Sequence, residues 1–448
     1  MKKTVRRLAT EILNSLSASS SFAHDALDEA LEKQGLSGCA DGRLLTHLVY
    51  GVLRLRGHLD WILAGYCRSD YQAMDEGLKN ILRVGLYQLR FSDRLPAFAV
   101  VHEAVQVAKH LHPAAAGLVN AVLRNYLRRP DRAPFPDPDR FPVEHISALY
   151  AHPAWLVQRL MDDYGYQETL DFCRFVNETP SVTVRVNTLK TSRDALARRL
   201  TDLGYRVAPT TYSSDGLHLI ESPLPVSKTP LFQEGGLRLQ DEAAQLAGRL
   251  CAPRPGERIL DACAGSGGKT THLAAMMENS GHITAMDRSR EKLAALERES
   301  RRLGISIIEP CGADLTFAPE PVYRNAFDRV LVDAPCSGTG TLARNPEIKW
   351  RLNKTDLDAL AATQDLILKN ASATVKKGGL LIYCTCSILP CENDEVIRRF
   401  LSDQPHFRFI PAKMSCWAEL IDPQGFFRTY PQRHHMDGFF AAILQRAD

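Results

Sequence analysis

The sequence predicts a multidomain chain: an all-α N-terminal domain, a small α+β subdomain of RNA-recognition-like type, and an α/β Rossmann-like C-terminal domain. Three observations carry this reading. Apolar residues recur at helical spacing through residues 1–129. A stretch from Pro130 to Pro142 then places five prolines in 13 residues, which no helix tolerates. From about residue 235 onward, β-branched runs alternate with helical ones, the pattern of a doubly wound parallel sheet.

The helical periods are Val5–Leu16, Leu44–Leu55, Leu78–Phe91, Val100–Leu111 and Ala115–Leu127. They set a first domain over 1–130 and a linker over 131–142. Residues 143–230 form the α+β subdomain: predicted helices at Ala154–Tyr164, Glu168–Asn177 and Leu196–Leu203, and strands at Ser181–Asn187, Tyr205–Ala208 and Leu217–Ile220. Residues 231–448 form the last domain, with predicted strands Arg258–Ala262, His282–Met286, Ser306–Glu309, Asp328–Val332, Leu380–Thr385 and Phe439–Leu444.

Composition bounds the class. The chain has 448 residues, 45% hydrophobic and 24% charged, ordinary for a globular protein. No apolar run reaches the ~18 residues of a membrane span, and no apolar stretch follows the basic N-terminus to make a secretory signal, so a cytoplasmic location is expected. Eleven cysteines, an odd number, argue for reduced thiols and against a disulfide framework. Net charge is only +3, but residues 1–140 carry 19 Lys and Arg against 15 Asp and Glu, a front end that fits either RNA or an ordinary solvated surface.

Three strand ends carry ligand-binding signals. The first runs into Cys263-Ala264-Gly265-Ser266-Gly267-Gly268-Lys269 and a helix start. Glycines let the backbone approach a ligand, and the helix N-terminus favours a carboxylate or phosphate. The spacing of a P-loop is absent. The second strand ends at Asp287, placed to bind ribose hydroxyls, and Asp314 follows the third, where a carboxylate suits an adenine amino group. Each acid alone is equally a helix cap. Together they favour a nucleoside pocket, with NAD and S-adenosylmethionine both open.

The fourth strand runs into Asp333-Ala334-Pro335-Cys336-Ser337-Gly338, and the fifth into Cys384-Thr385-Cys386-Ser387. Adjacent strand ends put Cys336 and Cys386 on one cleft beside the cofactor pocket. Cys384 shares a face with Cys386, and position alone does not choose between them. Cys384, Cys386 and Cys391 match no common zinc spacing. Arg344 and Lys349 are candidate cations for raising the thiolate fraction or holding a phosphate.

These two segments resemble the RNA 5-methylcytosine methyltransferase family, whose hallmarks are the proline–cysteine and threonine–cysteine pairs. The resemblance implies a class I methyltransferase fold, S-adenosylmethionine as cofactor, Cys386 as nucleophile and Cys336 as the aid to product release. It implies cofactor contacts at Cys263, Ala264, Gly265, Ser266, Gly267, Gly268, Lys269, Asp287, Asp314 and Asp333. The chemistry explains the residue types. Carbon 5 of cytosine is a poor nucleophile until a thiolate adds at carbon 6. Charge at ring nitrogen 3 then needs an acid, a role for Asp333, and elimination needs help, a role for Cys336.

Farther forward, Leu82-Arg83-Val84-Gly85-Leu86-Tyr87, His102-Glu103 and Val119-Asn120 are similar to a NusB-type helical RNA-binding domain. That combination implies a bacterial enzyme acting on a cytosine of 16S ribosomal RNA, free or in an early assembly particle, as a monomer without metal or membrane. The target base must leave its stack to reach both thiols. Arg124, Arg128, Arg129, Arg132, Arg198 and Arg199 are candidate phosphate contacts and equally ordinary surface. The family's usual loop reads Cys-Ala-Ala-Pro-Gly-Gly-Lys. Gly265 and Ser266 depart from it, which predicts a looser loop and weaker cofactor binding.

Overall fold

The computed structural model describes residues 3–447 except 20, 68, 69, 93, 94, 413 and 414, and of Ser415 and Cys416 only the backbone. Met1 and Lys2 of the basic start lie outside the described residues. The chain forms two compact units. One comprises residues 1–178 with Leu342–Arg351, the other Thr179–Thr341 with 352–448.

The first unit is helical. Its helices are Val5–Ala18, Ala23–Lys33, Ala40–Ala64, Glu76–Phe91, Ala97–Leu111, Ala116–Arg128, Pro142–Tyr150, Ala154–Tyr164 and Tyr166–Phe175. Side-chain caps start several of them: Thr4 accepts from Arg7 N, and Asp75 from Leu78 N. Leu13, Leu45, Leu48, Leu82 and Leu123 meet in one core of the first six helices. Gly51 is required there, because a Cβ would stand 2.1 Å from the Tyr87 ring. Arg83 is buried and donates to Asp60 at 2.6 and 2.8 Å, with Glu76 beside it.

Three helices differ from the sequence reading, one of them Pro142–Tyr150, which starts on the last proline of the linker. Ala40–Ala64 extends well beyond Leu44–Leu55, through a kink at Leu55. Ala23–Lys33 was not legible, because only Ala23 and Leu27 are buried along it and the apolar period is too thin to register. From Pro130 to Phe141 the proline-rich stretch has no helix and packs on the helical core. Trp61 donates to the Pro134 carbonyl at 3.1 Å, and the Phe135 ring stacks on His58.

Leu342–Arg351 belongs to this unit as well, although its neighbours in sequence on both sides belong to the other. Trp350 donates its indole N–H to the Leu53 carbonyl at 2.7 Å, and Glu347 accepts from Ala23 N at 2.8 Å. Lys349 is buried and donates to the Arg54 carbonyl at 2.8 Å and to Asn177 Oδ1 at 2.9 Å.

The second unit holds two sheets. The smaller consists of β1 (Val182–Val186), β2 (Arg206–Pro209), β3 (Gly216–Glu221) and β4 (Leu237–Leu239), in the order β2-β3-β1-β4 and antiparallel throughout. Helix Arg193–Asp202 joins β1 to β2, and the short helix Pro230–Gln233 precedes β4. This is a split βαβ arrangement of ferredoxin-like type. Val184, Val186, Leu196, Leu200 and Leu217 fill its core.

The larger sheet takes β5 (Arg258–Asp261), β6 (His282–Asp287), β7 (Ile308–Gly312), β8 (Phe327–Asp333), β9 (Val375–Thr385), β10 (Phe407–Ile410), β11 (Phe427–Thr429) and β12 (Phe439–Arg446). The order is β10-β12-β9-β8-β5-β6-β7, with β11 also on β12. The run β7-β6-β5-β8-β9 is parallel, and β12 inserts antiparallel between β9 and β10. The fold is Rossmann-like, with an antiparallel addition at one edge. The winding direction reverses between β5 and β8, which opens a crevice at the carboxyl ends of those strands.

The third strand of this sheet begins and ends later than Ser306–Glu309. It is Ile308–Gly312, in register with Ile283–Asp287. Pro310 and Gly312 break the apolar alternation that sequence reading relies on. The strand tolerates a proline because it lies at the sheet edge.

Candidate active site

The glycine-rich turn leaves β5 at Asp261 and enters helix Thr270–Met276. Asp261 is fully buried. Thr270 donates to its Oδ2 at 2.6 Å, Oδ1 has no protein partner, and burial pushes the carboxyl up to about 7. Gly265 (φ +54°) and Gly267 (φ +83°) both lie in the left-handed region. A Cβ on Gly267 would sit 2.0 Å from Leu296, whereas the space above Gly265 is open. The turn therefore offers a cradle where the chain lacks side chains.

Asp287 ends β6 and closes that cradle. Its Oδ2 accepts from Gly265 N at 2.9 Å and its Oδ1 from Ser289 N at 2.8 Å. Asp314 follows β7. Its Oδ1 accepts from the Thr316 amide at 2.9 Å and hydroxyl at 2.7 Å, which hold its carboxyl below the ordinary range. Cys263 and Ala264 back the turn: Ala264 N donates to the Met286 carbonyl at 2.8 Å, and burial pushes the Cys263 thiol up. The residues present fit an adenosyl group: an open glycine turn, a carboxylate at the second strand end and another after the third.

The departure from the proline-containing loop has a structural counterpart. Arg238 donates to the Ser266 carbonyl at 3.0 Å. Arg185, fully buried on β1, donates to the Gly268 carbonyl at 2.8 Å and to Thr271 Oγ1 at 3.0 Å. Two arginines of the small subdomain thus tie down the turn that sequence alone predicts to be loose. Neither is marked by any motif; their roles depend on a fold that brings β1 and β4 against the turn.

Lys269 is the last residue of the turn. Its ammonium donates to Asp333 Oδ2 at 2.6 Å and lies 4.8 Å from the Phe439 ring centroid. Burial opposes its charge, but Asp333 and the nearby thiols of Cys384 and Cys386 hold it well above the ordinary lysine range. Lys269 is therefore the cation beside the thiols. Arg344 and Lys349, the sequence candidates, fall instead in the segment grouped with the helical unit. There burial lowers the Lys349 ammonium to about 7.

The two cysteine segments converge. Cys336 Sγ and Cys386 Sγ stand 3.3 Å apart, at the ends of adjacent strands β8 and β9. Each is part-exposed. The contact with Cys386, and then burial, raise the Cys336 thiol well above its usual range. Cys384 is distinguished by packing. It is fully buried in the core with Ile382 and Ala441, and its thiol leans on Asp333 Oδ1 at 3.4 Å. Cys386 lies one residue past the strand and opens to the cleft. Gly340 N donates to the Cys386 carbonyl at 2.9 Å, fastening the two segments to each other. Among the described residues no group of three or more His, Cys, Asp or Glu is arranged to hold a metal ion, and no helix is long and apolar enough to cross a membrane.

Comparison with known proteins sets this geometry in context. Residues 249–445 match the family model of the 16S rRNA methyltransferase RsmB/F, residues 3–128 that of the NusB family, and residues 152–227 the ferredoxin-like domain of RsmF/B-like methyltransferases. A probable ribosomal RNA small subunit methyltransferase B of Synechocystis is 36% identical, covering 99% of this chain and 100% of its own length. One from Bacillus subtilis is 34% identical over 100% of both. The crystal structure of PH0851 superposes with a TM-score of 0.85 at 30% identity, covering 99% of this chain and 98% of that one.

Proposed function

Because this chain belongs to the ribosomal RNA small subunit methyltransferase B family, we propose that it transfers a methyl group from S-adenosylmethionine to carbon 5 of a cytosine in 16S ribosomal RNA. The observation that carries the chemistry is the 3.3 Å pair of Cys336 and Cys386, set beside the Lys269–Asp333 ion pair.

In this reading the Cys386 thiolate, beside the Lys269 ammonium, adds to carbon 6 of the flipped base. Asp333, with Lys269, supports the proton and charge at ring nitrogen 3. The turn 263–269 with Asp287 and Asp314 would hold the cofactor, which when bound would offer an electrophilic methyl group to carbon 5. Water at the part-exposed thiols then takes the carbon 5 proton, the freed C–H electron pair re-forms the ring double bond as the carbon–sulfur bond breaks, and Cys386 departs as thiolate. Cys336, whose thiol stays protonated, assists that release. By function the chain divides into a helical RNA-binding part (1–130), the linker (131–142), the α+β subdomain (143–230) and the catalytic part (231–448), although the helices up to residue 178 pack with the helical unit.

The test is a trapped adduct. Cys336→Ala is incubated with S-adenosylmethionine and undermethylated 16S ribosomal RNA, and a protein–RNA complex that survives denaturation is expected. Adding Cys386→Ala abolishes it. An adduct that persists without Cys386 overturns the nucleophile assignment. Wild-type protein that leaves cytosine unmethylated in both free RNA and small-subunit particles overturns the function.

A further inference from the structure

Each of the two thiols is followed by a serine, Ser337 after Cys336 and Ser387 after Cys386. Both serines are buried, and both donate their hydroxyl to the same atom, Oε2 of Glu392, at 2.5 Å. The other oxygen, Oε1, accepts from Ser337 N at 2.8 Å and from the Gln364 amide at 3.0 Å. Glu392 is fully buried, and these four partners are all neutral donors.

A buried carboxylate without a cation is costly, and hydrogen bonds from every side are what make it tolerable. Here the donors come from three separate stretches of chain. Gln364 also donates to the Pro335 carbonyl at 3.0 Å, so the same network grips the residue before Cys336. On the other side, Asn393 next to Glu392 accepts from Thr385 Oγ1 at 2.6 Å and donates to the Ser387 carbonyl at 2.9 Å, gripping both neighbours of Cys386. The 3₁₀ turn Pro390–Glu392 is itself pinned by the Tyr383 hydroxyl, which donates to the Glu392 carbonyl at 2.6 Å. A helix, a strand end and a loop are thus indexed to one side chain.

We propose that Glu392 is a positioning residue for methyl transfer: its carboxylate sets the separation and orientation of Cys336 and Cys386 by holding the serine that follows each. Its negative charge also opposes ionisation of Cys336, after the contact with Cys386 and burial. Glu392 thereby helps to keep Cys336 a thiol while Cys386 attacks. The inference rests on the assignment of these two cysteines made above.

The test uses the full chain with Glu392→Gln, Glu392→Asp and Glu392→Ala. Thiol reactivity is measured first, without RNA, by iodoacetamide labelling across pH and peptide mass spectrometry. In Glu392→Gln the Cys336 profile is expected to move to lower pH, whereas buried Cys251 keeps its profile. With RNA, Glu392→Ala lowers kcat by about 100-fold, the cost of a misplaced reacting group. Its S-adenosylmethionine dissociation constant is unchanged, and Glu392→Asp recovers part of the loss.

Folded Gln and Asp variants with wild-type labelling profiles and wild-type kcat overturn the proposal, whether or not the Ala variant folds. A failure of the cysteine assignment reads differently: the trapped adduct then survives Cys386→Ala, while the labelling shift at Cys336 still reports on Glu392.

Discussion

Arg185 donates to the carbonyl oxygen of Gly268 at 2.8 Å, so a strand of the ferredoxin-like sheet carries one end of the glycine-rich turn. The turn cannot relax without breaking this bond or the one from Arg238 to Ser266. Arg185→Ala is expected to raise the S-adenosylmethionine dissociation constant by about tenfold or more, as loss of a charge-assisted bond worth ~1.5–3 kcal/mol would do. Isothermal titration calorimetry measures it. An unchanged constant in a folded variant removes the turn-holding role.

The closeness of Cys336 and Cys386 predicts oxidant sensitivity. Diamide should join the two thiols as a disulfide, itself being reduced to the hydrazine, and methyl transfer should stop. Dithiothreitol should restore it. Cys384, buried behind them, should stay unmodified. Peptide mass spectrometry of the oxidised protein identifies the linkage, and a product joining Cys384 instead contradicts the packing described.

Lys269→Met removes the cation shared by Asp333 and the thiols while keeping most of the side-chain volume. Methyl transfer should fall by about 100-fold, the low end for losing an acid–base partner. Stability should drop by only about 1–2 kcal/mol, since Asp333 keeps contact with water and rehydrates. Wild-type methyl transfer by the folded variant removes Lys269 from the chemistry.

His272 predicts a pH dependence of folding. It is buried behind the turn, Nε2 meets Asp215 at 3.3 Å, and burial together with the charges of Arg185 and Arg249 lowers it to about 4, against 6.5 when free. Between those values the unfolded chain binds a proton that the folded chain does not, so stability falls as pH drops from 6.5 to 4. The contribution is about 3 kcal/mol at most. Denaturant titrations of wild type and His272→Gln at pH 7 and pH 4.5 check it: the gap between them should narrow or reverse at the lower pH.

What sequence makes legible here is local. The apolar period reveals helices such as Ala154–Tyr164, and β-branched runs reveal β5, β6 and β8. Both cysteine segments can be placed because each directly follows such a run. The strands β4, β10 and β11 escape notice, being three or four residues long and too short for alternation to register. Their two-residue spacing leaves Cys384 and Cys386 equivalent; burial separates them. The partners that hold the site escape for another reason. Arg185 lies 83 residues from Gly268, and Glu392 lies 55 from Ser337, separations at which no sequence period carries information.

The chain's passage through Leu342–Arg351 makes the helical unit something other than a detachable prefix. The strip leaves the second unit just after the Cys336 loop and returns to it at Leu352, so the chain enters the helical unit twice. Cutting the chain after residue 178 and discarding the front would leave the Trp350 indole and the Lys349 ammonium, both made for an interior, facing water. Such a fragment should be poorly soluble on its own.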